Sequence, residues 1–213
     1  MITAVVGYAP FAITSLIIST LALQEDLKTL LINVGLLTLC CLLGFFFHIA
    51  AVMTPMFKYF VGEFPLEYVK QIMPAYAFAF ACASSAATLP LTMKCVDRTR
   101  TVSLGLRKFI LTLGATINMD GSAIYFPCAI VFIAITGGHA DLIDAKTLFL
   151  CVMVSSLGSM GASPIPNSGL VMLVTIWDTT FPGIPIPPQV AFVQAIDFFI
   201  DRMVTVTNVM GDT

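Results

Sequence analysis

The chain has few charged residues: aspartate, glutamate, lysine and arginine make up 10% of its 213 residues, whereas 58% are hydrophobic. A soluble globular domain carries about 25% charged residues. This deficit indicates that a lipid bilayer is the natural solvent of the chain. The net charge of −2 says little about partners, and no basic patch suited to nucleic acid is present.

The chain also lacks the spacing of cysteine and histidine that a metal site requires. Nearly all of its cysteines lie in apolar runs, so we interpret them as small buried hydrophobes. His48, in a long apolar run, is interpreted as a hydrogen bonder at a helix interface. Residues 1–23 lack the basic start of a signal peptide and are long enough to span a membrane. The six cysteines are Cys40, Cys41, Cys82, Cys95, Cys128 and Cys151.

Long apolar runs are what the chain has instead. A helix that crosses a bilayer needs roughly 20 residues, and the sequence predicts an all-α membrane protein. The run at residues 29–57 is longer than one crossing needs, which indicates tilt or overshoot. The predicted segments are residues 2–23, 29–57, 71–93, 109–138, 147–177 and 190–213.

Positive charge predicts the topology of these segments. Seven of the ten lysines and arginines lie in the connections 58–70 and 94–108, which places both connections on the cytoplasmic side. Residues 71–93 therefore enter and return as a re-entrant hairpin, with residues 84–90 near its tip. By the same logic residues 147–177 form a second hairpin from the opposite side, with its tip at 161–169.

A polar stripe marks the last helix. Five polar or acidic residues are spaced by four, four, three and four positions, which places them on one helix face. A carboxylate at membrane depth is costly, so such a face is expected to line a cavity for cations or a polar solute. A break at residues 114–122 and the two hairpin tips are expected to meet it near the midplane, as in transporter binding sites. The stripe is Asp197, Asp201, Thr205, Asn208 and Asp212.

Four motifs, in order, resemble the dicarboxylate/amino acid:cation (sodium) symporter family, which includes excitatory and neutral amino acid transporters. SSAATLP at residues 84–90 resembles the first hairpin tip, and NMDGS at 118–122 resembles the NMDGT signature of the interrupted seventh helix. ASPIPNSG at 162–169 is similar to the second tip, although alanine-glycine is usual at its second and third positions. The stretch 201–212 is similar to the eighth helix.

The resemblance implies a transporter and not an enzyme. It implies sodium-coupled symport or exchange of an amino acid by an elevator-type mechanism, in a multi-pass homotrimer of the plasma membrane. Residues 1–28 would be a scaffold-type helix with its turn, and 29–213 a transport domain truncated in its eighth helix. Four helices would precede Met1 in such a protein, so we expect the chain to be part of a longer one.

Sodium prefers oxygen ligands, and the resemblance implies where they lie. A first site would combine Asp212, Asn208, Asn118 and the Gly114 carbonyl. A second would use backbone oxygens, and a third would use Asp120 with Asn118 and would be incomplete here. The backbone oxygens of the second site are those of Thr116, Ser159, Met160 and Ala162.

The substrate site is expected to lie beside these ligands. Asp201 is the natural partner of an amino acid ammonium, and Asn208 can donate to the α-carboxylate. Backbone N–H groups of Ser85 and Gly169 would bind the anionic end, and Thr205 would add a hydroxyl. The remaining residues assigned to this site by the motifs are Ser84, Ser122, Ile165 and Val204.

Two positions depart from the acidic-substrate members. Val204 stands where those members carry an arginine for the side-chain carboxylate, and Arg202 lies about 200° away around the helix. An unpaired substrate carboxylate there would cost on the order of several kcal/mol, which predicts a neutral substrate. Phe126 stands where excitatory members carry a glutamate, so we expect no potassium countertransport.

Three alternatives stay open at this point. The substrate could be an acidic amino acid or dicarboxylate, or the chain could be a membrane fragment that does not transport. An intramembrane aspartyl protease also uses paired membrane aspartates. That family carries Tyr-Asp and Gly-x-Gly-Asp, whereas this chain has Met-Gly-Asp at 210–212 and no Tyr-Asp.

Overall fold

The computed structural model describes Ser15, Ile18 and residues 27–100, 102–163 and 169–213. The predicted first helix, residues 2–23, lies outside the described residues apart from those two positions. Every regular element in the described part is helical, which confirms the all-α prediction. In chain order these elements are α1 (Leu27–Phe47), a π-helical segment (His48–Met53), α2 (Thr54–Val61), α3 (Leu66–Cys82), α4 (Ser85–Thr99), α5 (Leu104–Ile117), α6 (Asp120–Thr136), a 3-10 turn (Ala140–Leu142), α7 (Ala145–Gly161), α8 (Gly169–Thr180) and α9 (Val190–Asp212).

The first long run forms one helical rod with a π-helical middle. The rod runs from α1 through the π segment to α2 and ends at Gly62, whose φ of 84° only glycine adopts readily. The hydroxyl of Thr54 donates to the Ile49 carbonyl at 2.8 Å, beside the proline that begins α2. The rod exceeds the predicted 29–57, and its length fits a helix that overshoots one crossing.

Two stretches of the described helices are long and apolar enough to cross a bilayer, Leu31–Val61 and Leu104–Thr136. Most of the first stretch is exposed on the chain, and large side chains such as Leu31 (70% exposed) and Phe46 (71%) face outward. Exposing such apolar side chains to water costs free energy. Contact with lipid or with another protein surface is therefore more favourable for them.

Helices α3 and α4 pack against each other as a helical hairpin with a two-residue turn. Ala83 adopts a left-handed conformation at φ 49°, and the Ser84 hydroxyl caps α4 by accepting from the Ala87 N–H at 3.1 Å. The turn therefore falls at the start of the predicted tip. Pro90, the last residue of the predicted tip, lies inside α4 and does not end a helix.

The predicted interrupted helix is observed as α5 and α6, with the break at Asn118 and Met119. These residues leave helical geometry, with φ/ψ of −86°/89° and −115°/57°. The break starts a new helix at Asp120, and the first backbone N–H groups of α6 have no acceptor within that helix. Helix α5 begins at Leu104, earlier than the predicted residue 109.

The second predicted hairpin corresponds to α7 and α8, which pack together. Asp144 caps α7 by accepting from the Thr147 N–H at 2.7 Å, and this bond lowers the pKa of Asp144. Ala162 is extended after α7, and residues 164–168 of the tip, Ile165 among them, lie outside the described residues. The last helix, α9, matches the predicted 190–213 almost to the residue.

The described residues form two buried clusters, one among α3, α4, α5 and α9 and a larger one around α6 and α9. Large buried side chains from α6, α8 and α9 form one cluster, including Phe126, Trp177 and Ile200, each 1% exposed or less. Gly121 permits the closest approach, since a Cβ there would lie 2.5 Å from the Val204 carbonyl oxygen. This contact fixes the break of the interrupted helix against the polar stripe of α9.

Candidate functional site

The polar stripe of α9 faces the interior of the chain. Asp197, Thr205 and Asn208 are 3–4% exposed, and Asp201 and Asp212 are half-buried. Burying five polar groups on one face is unfavourable unless they have partners or line a polar space. The structure divides them between two spaces, one at each end of the stripe.

The first space is a cavity enclosed by α4, α6, α8 and α9, with the α5–α6 break and the residues after α7 at its margin. It is lined by polar and apolar residues of these helices. Seven of the nine residues predicted for the substrate site line it. They are Ser85, Ser122, Gly169, Asp201, Val204, Thr205 and Asn208.

The other two predicted residues do not line this cavity in the described part of the chain. Ser84 is buried, and its hydroxyl caps α4, so its side chain has a structural role next to Ser85. Ile165 lies outside the described residues. The first hairpin therefore brings Ser85 to the cavity by means of the cap at Ser84.

Asp197 both links two helices and lines the cavity. Its Oδ1 accepts from the Tyr125 hydroxyl at 2.9 Å, which links α6 to α9, and it also lines the cavity. A buried carboxylate with a hydroxyl donor keeps a defined orientation. Sequence reasoning missed Tyr125, although a tyrosine within a long apolar run is a recognisable signal for a buried hydrogen bond.

Among the residues that the structure describes, none of those lining the cavity is basic. Val204 is 4% exposed and occupies the wall. Arg202 lies elsewhere, with its guanidinium against the Phe198 carbonyl and 3.6 Å from the centre of the Phe198 ring. The prediction from helix geometry that Arg202 does not substitute for an arginine at 204 agrees with this placement.

The second space is a groove that surrounds about 1140 Å³, between α5, the break, α7 and the end of α9. The Asp212 carboxylate lies against Gly114, since a Cβ there would be 2.6 Å from Oδ1. Asn118 donates from Nδ2 to the same oxygen at 3.4 Å. The predicted sodium ligands that line the groove are Gly114, Asn118, Asp120, Ser159, Met160 and Asp212.

Asp120 completes this oxygen-rich corner. A Cβ at Gly211 would overlap the Asp120 carboxylate and would lie 2.6 Å from Asn118 Nδ2. A side chain at this position would displace both groups, because the α9 backbone comes close to these two candidate ligands. Two carboxylates and an amide offer the oxygen donors that a hard cation prefers, and these residues fit sodium. The predicted ligand carbonyl of Gly114 is not freed by the break, because it accepts from the Asn118 N–H at 2.8 Å.

Three predicted sodium ligands lie outside this groove. Asn208 lines the cavity, where its Oδ1 accepts from the Gly121 N–H at 2.7 Å and its Nδ2 contacts Met119 Sδ at 3.2 Å. Ala162 also lines the cavity. Thr116 is exposed, and its hydroxyl bonds to the Leu113 carbonyl. Asn208 and Asp212 therefore line different spaces. The Asn208 amide is bonded to the start of α6, whereas Asp212 lines the groove.

His48 is a neighbour of the groove that the sequence did not place. Its Nε2 lies 3.4 Å from Oδ2 of Asp120, at an ion-pair distance but without hydrogen-bond geometry. Within the described residues Nε2 has no hydrogen-bond partner, and the contact that it makes at the helix interface is with the Asp120 carboxylate. The π-helical segment begins at His48, and such segments often occur at functional sites.

Comparison with known proteins identifies the class. The model of the sodium:dicarboxylate symporter family matches residues 1–213, so the chain belongs to this family, and the predicted resemblance is confirmed. Over the whole chain it is 36% identical to the neutral amino acid transporter B(0) of Mus musculus and 34% identical to that of Homo sapiens. It is 33% identical to the excitatory amino acid transporter 1 of Ambystoma tigrinum. The chain spans 37–38% of the length of these relatives.

Proposed function

We propose that this chain forms the binding centre of a sodium-coupled secondary transporter for a neutral amino acid. The observation that carries the proposal is the cavity at the α6–α9 contact, where the described lining residues include an acidic partner for an ammonium group and no basic side chain. The family and the relatives named above support amino acid transport.

The cavity fits the two ends of a zwitterion. Asp201 is assigned to the ammonium, and the N-terminal residue of α8, Gly169, offers a backbone N–H to the carboxylate. Ser85 offers a second N–H from the first hairpin. The Asn208 amide completes the set, held in place by its bond from Gly121.

The neutral preference follows from the wall at Val204. A second substrate carboxylate would lie beside Asp197 and Asp201, and the described lining residues offer it no cationic side chain. Such a charge costs on the order of several kcal/mol. A small apolar or hydroxyl side chain would contact valine without that cost, and the relatives include neutral amino acid transporters.

The groove at Asp120 and Asp212 is assigned to sodium as a co-transported substrate. It lies next to the cavity, because Met119 lines both spaces. A cation bound there would order the break in the interrupted helix and thereby the Gly121–Asn208 bond. Binding of sodium would in this way raise the affinity for the amino acid.

The transport movement is assigned to the whole unit from α1 to α9. Both hairpins are proposed to be re-entrant, with their tips at the binding centre, and the unit would move in an elevator-type mechanism within a homotrimer in the plasma membrane. Broken helices and hairpin tips at midplane depth are tolerated where they line a cavity. Exposed apolar side chains along α1 are consistent with contact to lipid or scaffold.

A thermal-shift panel on the purified chain in detergent or nanodiscs tests the proposal. Alanine or serine at a hundredfold excess over its dissociation constant should stabilise the chain by about 2.7 kcal/mol in sodium and not in choline. Asp201→Asn should lose the response, and Asp178→Asn, an exposed aspartate on α8, should keep it. A larger shift with glutamate would refute the neutral preference, and no shift with any amino acid in sodium would refute the binding site.

A further inference from the structure

Positive charge is concentrated where α4 ends and α5 begins. Five of the ten lysines and arginines lie between residues 94 and 108, with a single acidic residue, Asp97, among them. Asp97 is neutralised by Arg107, whose Nη2 lies 2.6 Å from its Oδ1 and whose side chain is 6% exposed. The other four basic side chains are exposed, and together they are called the basic surface. They are Lys94, Arg98, Arg100 and Lys108.

The fold gathers the basic surface at one level. Helix α4 ends at Thr99 and α5 begins at Leu104, and the two helices pack against each other. Lys94 and Lys108 each lie within about 8 Å of this junction along their helix axes. Helix α5 also opens the apolar stretch Leu104–Thr136, which is long enough to cross a bilayer. The basic surface therefore lies where that stretch begins, at the depth of the lipid headgroups.

Large apolar side chains are exposed next to the basic ones. Leu104, Leu106 and Phe109 are 58%, 52% and 67% exposed, and Lys108 directly precedes Phe109. A phospholipid offers acyl chains to the apolar groups and a phosphate to lysine and arginine. Long basic side chains extend from apolar surroundings to the headgroup layer in this way. A soluble acidic partner would match the charges but not the apolar side chains.

The connection before α3 shows that the excess of positive charge is local. It lies at the same open end of the first hairpin, because α3 and α4 are antiparallel and of similar length. Lys58 and Lys70 are exposed there, but Glu63 and Glu67 are exposed as well. Lys70 pairs with Glu67 at 2.6 Å. Opposite charges balance in that connection, whereas at the α4–α5 junction they do not.

We propose that the basic surface binds the headgroup of an anionic phospholipid in the cytoplasmic leaflet. Clusters of four or more lysines and arginines beside a membrane-spanning helix suit such lipids, and each charge contributes about fivefold in affinity. The inference uses the topology of the proposed function but not its substrate. Lipid binding is measured without amino acid or sodium, so its failure is distinguishable from failure of the transport proposal.

The test is native mass spectrometry of the chain purified in detergent, with phosphatidylserine and phosphatidylcholine of identical acyl chains as probes. The wild-type chain should bind phosphatidylserine at least about 25-fold more tightly than phosphatidylcholine. Arg98→Gln combined with Lys108→Gln removes two of the four charges. This double variant should weaken phosphatidylserine binding by about 25-fold, about fivefold for each charge, and leave phosphatidylcholine binding unchanged.

Lys58→Gln combined with Lys70→Gln is the matched control, because it removes two exposed lysines from the connection with balanced charge. It should keep the wild-type preference. Both double variants replace exposed side chains, so both are expected to fold. The proposal is wrong if the wild type binds both lipids equally, if the Arg98 and Lys108 variant keeps the preference, or if the control loses as much.

Two further probes distinguish other anions from a lipid. Inorganic phosphate and a soluble acidic peptide are added to the wild-type chain with phosphatidylserine bound. Neither should displace the lipid at equal concentration. Displacement by phosphate would show that the basic surface binds a free anion, and displacement by the peptide would show that it binds an acidic protein. Either result would overturn the lipid proposal.

Discussion

In the proposed function, Val204 is the residue that decides the choice of substrate. Its side chain stands in the cavity wall, and the helix geometry keeps Arg202 on a different face, stacked on Phe198. A fixed guanidinium at position 204 would add a cation beside Asp201, where a second substrate carboxylate could pair with it.

Val204→Arg is therefore expected to convert the preference toward acidic substrates. We predict that the dissociation constant for aspartate or glutamate, measured by calorimetry in sodium, falls at least about tenfold while that for alanine rises, since truncated or restored charge pairs are worth about 2–5 kcal/mol. Val204→Leu serves as the control for size and should not improve binding of either acid. A folded arginine variant that still rejects both acids would contradict this assignment of the side-chain subsite.

For individual residues, the sequence alone predicted well where polar and acidic side chains recur at helical spacing in an apolar segment. The spacing of Asp201, Thr205 and Asp212 predicted a common face, and the structure turns that face inward. The two-way division of the stripe could not be predicted, because it depends on the Gly121–Asn208 bond between segments far apart in sequence. The proximity of His48 to Asp120 could not be predicted either, because these two residues are also far apart in sequence.

Helix α4 depends on a single cap for its position at the cavity. Ser84 satisfies the Ala87 N–H after the left-handed Ala83 has reversed the chain. The cap fixes where the first turn of α4 begins and so places Ser85 at the cavity wall.

Ser84→Ala should lower the free energy of unfolding by about 1 kcal/mol, because the capped N–H loses its partner. Ser84→Asp should restore most of that loss, as aspartate caps equally well. Chemical or thermal denaturation in detergent measures both variants. If Ser84→Ala were as stable as the wild type and amino acid binding were lost, Ser84 would be a ligand and not a cap.

Among the elements, the sequence predicted α9 and the interrupted helix well, because polar spacing and the Asn-Met-Asp-Gly break are strong local signals. It placed the first hairpin tip at residues 84–90, whereas the turn lies at Ala83 and Ser84 and the later residues of that stretch, including Pro90, lie inside α4. The π-helical segment could not be predicted, because it replaces one hydrogen-bond pattern by another without a distinct apolar period.

Re-entry of the hairpins is a property of the whole molecule and its orientation in the bilayer. The proposal places the connections before and after α3–α4 on one side of the membrane, and the connection before α7 on the other. Glu63 and Asp141 are exposed positions in the connections before α3 and before α7, and Arg98 is exposed in the last turn of α4, next to the connection that follows it.

In a cysteine-free background, Glu63→Cys and Arg98→Cys should react with an impermeant maleimide from the same side of sealed vesicles, and Asp141→Cys from the opposite side. Equal labelling after the vesicles are opened is the control for reactivity. If Glu63→Cys and Arg98→Cys react from opposite sides, the first hairpin crosses the membrane and is not re-entrant.

The proposed function requires that sodium binding in the groove affects amino acid binding in the cavity, through Met119 and the helix break. Gly211 tests the link, because a Cβ there would overlap the Asp120 carboxylate. Gly35 on α1 is its matched control, with nothing within 4 Å of an added Cβ.

The most direct measurement is the dissociation constant of alanine as a function of sodium concentration, by calorimetry, in the wild type, Gly211→Ala and Gly35→Ala. We predict that alanine binding strengthens with sodium in the wild type and in Gly35→Ala, with coupling of about 1–3 kcal/mol, and that folded Gly211→Ala loses the dependence. Alanine affinity that is independent of sodium in the wild type, or a Gly211→Ala chain with unchanged coupling, would contradict the account.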